Sequence, residues 1–432
     1  MRLESKHTGS DLYELARNIF PIYRSITGDG VRTTLKYLKK IIPDMQIHEV
    51  ASGTRVYDWT VPKEWNISEA YIENNRREKI IDFKKNNLHV VGYSCPIDKW
   101  VSKEELKQYI YTQPDQPDVI PYITSYYSLR SGFCMSKDMW NDLPDGNYHM
   151  YIDSKFTDGS MTYGEIIIPG VTSEEICFST NICHPGLGSN EVSGPCVLTY
   201  LAKWLSEEPN RRYTYRFLFI PETIGSITYI SQHLEEMKKN IKAGFVVTCV
   251  GDDLEYSYVE SRKGGTLADR ALQQVLKYYA PMYKKYSFLK RGSDERQYCA
   301  PGVDLPFVVF CRSKYHEYKE YHTSADNLSF ISSAGMGNAL EVLKRVVMTL
   351  EYNQYYRSTV LCEPQLGKRG LYPTISQKGT YKNNVRVIQN LLAYADGMSD
   401  LIEISNSINE PIEELAKTID ILLAEGLVKV IG

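Results

Sequence analysis

The sequence predicts an α/β protein built on a largely parallel sheet with helices on both faces. Two observations carry that prediction. From about residue 156 short, continuously apolar runs alternate with amphipathic stretches of helical period. The apolar runs do not alternate with polar residues, which is the pattern of strands buried on both faces. A third observation, the length of 432 residues, adds further domains, because one hydrophobic core stops growing at roughly 250–300 residues.

The elements follow in chain order. Asp11 to Ile42 reads as two helices, one with Leu12, Leu15, Ala16, Ile19 and Phe20 on a face, the other with Val31, Leu35, Leu38 and Ile41. The turn RSITGDG joins them. From Gln46 to about Ser154 short alternating runs (IHEVAS, TRVYDWTV, EAYI, HVVGYS, PYITSYYS, NYHMYIDS) separated by turn residues predict a β-rich block. Strands are then expected in GEIIIPG, EEICFSTNIC, YTYRFLFIP, AGFVVTCVG and LPFVVFCRS. Helices are expected in PCVLTYLAKWLSEE, TIGSITYISQHLEEMKKN, TLADRALQQVLKYYA and GMGNALEVLKRVVMTLEYN. After Cys362 a Pro/Gly-containing link leads to three candidate helices, NVRVIQNLLAYAD, SDLIEISNSIN and PIEELAKTIDILLAEG. With LVKVIG as a strand or wing, they resemble a winged helix. The expected organisation is a core of 1–56 with 156–362, an inserted β-rich domain at 57–155, and a winged-helix-like domain at 363–432.

Composition narrows the partners. A net charge of -3 offers no field for nucleic acid or an anionic membrane, and no stretch approaches the ~20 apolar residues of a membrane span. The first twenty residues lack the apolar run of a signal peptide. Nine cysteines without a CxxC pair sit mostly in apolar runs and read as small buried hydrophobes, as expected in a reducing cytoplasm. The 34 tyrosines read as half-buried packing residues with the hydroxyl in water. Within 363–432 seven Lys/Arg face nine Asp/Glu, a poor balance for neutralising phosphates, so the tail is expected to pack or dimerise rather than bind DNA.

In open sheets of this kind ligands sit beyond the carboxyl ends of the strands. That rule selects residues. His184 follows EEICFSTNIC directly, although a lone histidine there is more often structural. Glu191, beside Asn190, lies just before the next helix and can either cap it or reach the same cation as His184. Glu222 ends YRFLFIP, where a carboxylate can serve as general base or as a helix cap. The loop after LPFVVFCRS holds His316 and His322, and spacing alone does not choose between them. Asp252, Asp253, Asp294 and Glu295 are weaker candidates. Imidazole with carboxylate suits Zn²⁺, and two histidines with two carboxylates at the ends of separate strands point to a metal site.

At these residues the sequence resembles the bacterial aminopeptidase-like proteins related to the M28 zinc exopeptidases, with a DUF4910 peptidase-like domain, an inserted DUF2172 domain and a C-terminal winged helix. The matching stretches are FPIYRSITGDGVR, YDWTVPKEWN, PYITSYYSLRSGFC, ICHPGLGSNEVSGP, RFLFIPETIGS, TCVGDD, GSDERQYCAPGVDLP and EYHTSADNLSF. The resemblance implies a zinc-exopeptidase-like three-layer α/β/α sheet, His184 as first metal ligand, Glu222 as general base, His322 as distal ligand, and Asp294 as an acidic residue near the substrate. It also marks departures. Where broader M28 enzymes place a bridging aspartate this chain has Asn190, with the carboxylate displaced to Glu191. Thr223 replaces a second glutamate, and FVVTCVG holds no aspartate.

A neutral amide bridges two dications poorly, because a bridging charge offsets their repulsion. One zinc held by His184, Glu191 and His322 is therefore expected rather than two. The expected function is a zinc-dependent amide hydrolase, aminopeptidase-like, acting on a small-molecule or peptide-terminal substrate. A deacylase for a modified amino acid or sugar fits the same residues. The alternative is a catalytically degenerate binding or regulatory protein that keeps the fold, and a homo-oligomer is compatible with either.

Overall fold

The computed structural model describes residues 9–128, 130–372 and 384–431. The leader reading of residues 1–8 and part of the link after Cys362 lie outside the described residues. Contacts divide the chain into two compact units. One runs to Gly264 and resumes over Lys284–Leu340; the other comprises Gly265–Tyr283 and Glu341 onward.

The larger unit is organised by an eight-stranded mixed sheet. Its strands are β1 (Gln46–Ala51), β2 (Ser160–Ile168), β3 (Glu175–Asn181), β4 (Thr214–Ile220), β5 (Ile241–Val247), β6 (Ser257–Val259), β7 (Lys284–Tyr286) and β8 (Phe307–Cys311). They lie in the order β1-β2-β4-β3-β5-β8-β6-β7. The four central strands, β4, β3, β5 and β8, are mutually parallel. Every residue of β3 and β8 is buried, so their continuous apolar runs are explained by cover on both faces. Outward from this centre β2 pairs antiparallel with β4 and β1 antiparallel with β2, while β6 pairs antiparallel with β8.

Two expectations change here. The sheet is mixed: parallel pairing is confined to the four central strands and the edge pair β6–β7. Gln46–Ala51, which opened the predicted β-rich block, is an edge strand of the main sheet, where it pairs with Ser160–Glu165. Its alternating pattern is that of a strand with one face in water, and edge and inserted strands share it. The short strands β6 and β7 were absent from the sequence reading, since three residues carry too little periodicity.

Helices α1 (Gly9–Ile19), α2 (Asp29–Ile41) and α3 (Ser193–Glu207) form one layer, with α3 against the sheet. On the other face α4 (Ile224–Asn240) buries Ile224, Ile227, Tyr229, Ile230 and Met237 in a cluster shared with Leu218, Val246 and Val309 of the strands. The region between β1 and β2 is a separate antiparallel sheet, with strands Lys79–Asp82, Glu64–Asn74, Asn147–Thr157 and Ile97–Ser102 in that order. Its core contains Ala70, Ile72, Phe133, Met150 and Ile152.

In the second unit α5 (Leu267–Tyr279) accompanies the tail. The three tail helices form as α7 (Asn384–Tyr394), α8 (Leu401–Ile408) and α9 (Ile412–Ala424), after the long α6 (Ser333–Tyr352). LVKVIG supplies the strand Val428–Ile431, which pairs with Tyr355–Ser358; Asp396–Asp400 completes a three-stranded wing. No helix among the described residues is long and apolar enough to cross a membrane.

Candidate active site at the strand ends

The carboxyl ends of the central strands deliver the polar groups the topology calls for. His184 lies three residues beyond β3 and is buried. Two backbone devices hold it. The buried Arg24, in the turn between α1 and α2, donates from Nε to the His184 carbonyl (3.1 Å) and from Nη1 to the carbonyl of Ile19 at the end of α1 (2.6 Å). On the other side Glu191, in a turn of π-helix (Gly188–Val192), accepts through Oε1 from the backbone N–H groups of Cys183 and His184 (2.8 Å for the latter). Its Oε2 meets His184 Nδ1 at 2.6 Å.

Glu191 was open to two uses, a metal ligand or a cap of the following helix. The structure shows a third engagement. Glu191 does not cap α3, which begins without a side-chain cap. It fixes the tautomer and the ring of His184, leaving Nε2 to face the crevice. Cys183, His184 and Glu191 also form a buried cluster in which one potential ligand atom of each lies within 4.8 Å of the others. Burial pushes the Cys183 thiol up to about 12, so it stays protonated. Burial opposes charge on His184, yet its pKa is raised well above the ordinary value; with Cys183 neutral, the anion responsible is Glu191.

Glu222 follows β4 and brings Oε2 to 3.5 Å from His184 Nε2. Burial raises its pKa, while His184 and Arg296 pull it back. The next residue, Thr223, has a φ of 66°, rare for a β-branched side chain. Two contacts hold that strained backbone: Thr223 N–H donates to Asp294 Oδ1 (2.8 Å), and Arg296 Nη2 donates to Thr223 Oγ1 (2.7 Å). Asp294 also accepts from the Ser226 hydroxyl, and its Oδ2 is buried without a partner. Its pKa is pushed up to about 7 by burial and by the nearby Glu222.

The structure brings His322, not His316, to this place. The His322 ring lies 5.6 Å from that of His184, whereas His316 is exposed and packs against Tyr315 and Tyr321. Burial, with His184 and His316 nearby, lowers the pKa of His322 well below the usual imidazole value and keeps the ring neutral. Asp252 and Glu295 are spent on structure. Asp252 accepts from Ser189, Ser313 and Leu254, and Glu295 from Gly292, Ser293 and Tyr315. Asp253 is exposed.

Two residues were missed in the sequence. Tyr122 places its ring 5.0 Å from both His184 and His322, and its hydroxyl is 2.8 Å from that of Tyr126. Its N–H donates to the His322 carbonyl (2.9 Å), and Ser324 N–H donates to the Ile120 carbonyl, so the inserted segment is stitched to the His322 loop. Asp326 accepts from the N–H groups of Ser189 and Asn190 and from Tyr318. The stretches PYITSYY and HTSADN contain both residues, but nothing in their local pattern tells which side chains turn inward. Asn190 sits buried with Nδ2 toward Cys249 Sγ (3.6 Å) and Oδ1 without a partner.

Known proteins share this fold. A family model described as a domain of unknown function (DUF4910) matches residues 13–353. The chain belongs to that family. A winged helix-turn-helix model matches residues 354–430 of this DUF4910 chain. A Clostridium acetobutylicum protein named for polysaccharide biosynthesis and an aminopeptidase-like domain is 43% identical over 428 residues, covering 99% of this chain and 98% of that protein. The crystal structure of a proposed peptidase from Clostridium acetobutylicum superposes with a TM-score of 0.92 at 41% identity, over 98% of this chain and 96% of the other. A zinc aminopeptidase of Bacillus subtilis shares the fold at 12% identity and a TM-score of 0.59, over 80% of this chain and 96% of its own. The DUF4910 chain therefore has a peptidase-like α/β fold followed by a winged helix.

Proposed function

We propose that this chain is a zinc-dependent amide hydrolase of the aminopeptidase kind, acting on a small or chain-terminal substrate with Glu222 as general base. The observation that carries the proposal is the approach of Glu222 Oε2 to His184 Nε2 (3.5 Å) in a crevice that also receives the neutral His322. His184 and His322 would hold the ion, and Glu191 would serve it by orienting His184 and keeping its Nδ1 protonated. The donor set suits zinc, and the partnerless Oδ1 of Asn190 leaves one more buried acceptor for a cation or a substrate N–H. Zinc, when bound, supplies a Lewis acid that polarises the scissile carbonyl and acidifies water.

The chain's own residues do the rest. Glu222 accepts a proton at its carboxylate and returns it to the leaving amine; a raised pKa makes it a stronger base than an ordinary carboxylate. Asp294 and Arg296 hold the strained Thr223 and so aim Glu222. Tyr122 closes one wall between the imidazoles. One ion is proposed rather than two, since Asn190 and Thr223 supply no charge. The partner is a small substrate and not nucleic acid, given the acid-rich tail.

A second reading, a binding protein without turnover, draws on one observation: all the hydrogen bonds of Glu191 are turned toward the protein backbone and His184. Metal content by mass spectrometry, with a screen of aminoacyl and N-acyl substrates, separates the two. Bound zinc with chelator-sensitive turnover supports the hydrolase. A metal-free protein that binds a substrate unchanged supports the alternative.

A further inference from the structure

The two histidines of the crevice come from different parts of the chain, His184 just after β3 and His322 in the loop between β8 and α6. Loops so far apart in sequence keep a fixed separation only where contacts tie them. The tie is Asp326, in the same loop as His322 and fully buried. It reaches across to the π-turn: Oδ1 accepts from the Ser189 N–H (2.6 Å) and Oδ2 from the Asn190 N–H (3.0 Å). Its backbone carbonyl accepts from the Gly188 N–H (2.8 Å). Three successive amides of the turn therefore end on one residue of the His322 loop.

The contact leaves no slack. A Cβ on Gly188 would fall 2.7 Å from the Asn327 carbonyl oxygen, so a larger residue would push the two backbones apart. Glu191 is the next residue of the turn after Asn190, and its carboxylate orients the His184 ring. On the other side Asp326 Oδ2 also accepts from the Tyr318 hydroxyl (3.2 Å). Tyr318 packs on Tyr321 (5.6 Å), and the Tyr321 ring stacks on His322 at 3.9 Å. His322 itself has a φ of 55°, a left-handed conformation that persists where surrounding contacts hold it.

One carboxylate is thus linked to both imidazoles, through Glu191 on one side and two tyrosines on the other. Asp252 supplies the contrast. It is equally buried, but it accepts from the side chain of Ser189 rather than its backbone, and otherwise from Leu254 and Ser313. We propose that Asp326 is a positioning residue that sets the separation and facing of His184 and His322, and so the geometry in which they would meet a cation. Its bearing on metal rests on the zinc reading above; its hold on the two rings does not.

The test uses the full chain with its eight histidines ring-labelled, read by NMR in chelator, with His184→Gln and His322→Gln assigning the two signals. The Tyr122 ring lies 5.0 Å from both imidazoles, so a change in their spacing moves both. Asp326→Asn, which keeps the shape and one acceptor oxygen, should shift both signals, and Asp326→Ala should shift them further. Gly188→Ala should do the same with the Asp326 carboxylate intact, and serves where Asp326→Ala disturbs folding. Asp252→Asn should lower the unfolding midpoint and leave both signals in place. Zinc affinity, by competition with a chelating dye, should fall about tenfold in Asp326→Asn and Gly188→Ala, the low end of the cost of removing support from a metal-bound histidine. Unmoved imidazoles in Asp326→Asn and Gly188→Ala, an equal shift in Asp252→Asn, or zinc affinity unchanged by both loop variants would each overturn the assignment. A parent chain that binds no zinc would sink the hydrolase reading instead, and the imidazole signals then decide this one alone.

Discussion

Two buried aspartates in two regions of the molecule show opposite treatment of the same group. Asp400, in the helical unit, caps α8 through the Glu403 N–H and takes Arg270 Nη2 (2.6 Å) and Asn353 Nδ2 (3.2 Å). Asp294, in the crevice, has one oxygen satisfied, the other orphaned and no cation bound to it directly. The first arrangement gives both carboxylate oxygens partners and stabilises the fold. The second leaves a carboxyl pushed up to about 7 beside another whose pKa is also raised. Unsatisfied, mutually repelling buried acids cost stability, and a fold keeps them where chemistry uses them.

The largest effect expected from this contrast is on Glu222. Glu222→Gln should keep the fold and bound zinc while lowering hydrolysis by at least ~10²-fold in steady-state turnover. Loss of zinc in parallel would instead make Glu222 a ligand. Glu191→Ala should weaken zinc by roughly 10–100-fold, the usual cost of removing the group that orients a metal-bound histidine. Competition with a chelating dye reads it, and Glu191→Gln, which can still accept a hydrogen bond, should lose less.

On the structural side, Asp400→Ala removes a cap and an ion pair whose arginine is partly exposed, and should cost about 1–2 kcal/mol in denaturant unfolding. Turnover per folded molecule should not change. If it fell with stability, the division between structural and functional acids would fail.

Titration sharpens the contrast further. Glu222→Gln removes an anion that raises Asp294, so the Asp294 pKa should fall below about 7 in carboxyl-carbon NMR. The smallest effect is on stability. Burial raises Asp326 to about 7, so its folded form holds a proton that the unfolded chain has released above its own pKa. Its contribution is full below the ordinary aspartate range and lost as pH rises through about 7. Unfolding measured across that range in chelator should show a shallower decline for Asp326→Asn.

How much of this was legible follows from where the information resides. Continuous apolar runs announced the central strands, and their ends located His184 and Glu222, because burial on both faces and termination by polar residues are local properties. His322, in a loop well beyond its strand, was chosen over His316 by the family resemblance alone. The tail helices were readable from their period, also a local property. The partner of Gln46–Ala51 was not, since an alternating six-residue strand pairs with whichever edge the tertiary fold presents, here more than a hundred residues away. Nor was the work of Glu191, whose two uses on paper became a third when the π-turn folded its carboxylate onto the preceding amides. Tyr122 reaches the imidazoles only because the inserted segment is stitched to the His322 loop. The sequence by itself determined which residues could lie at strand ends. Only the tertiary structure decided which side chains face one another, because hydrogen-bond partners and close approaches depend on distances that sequence spacing does not set.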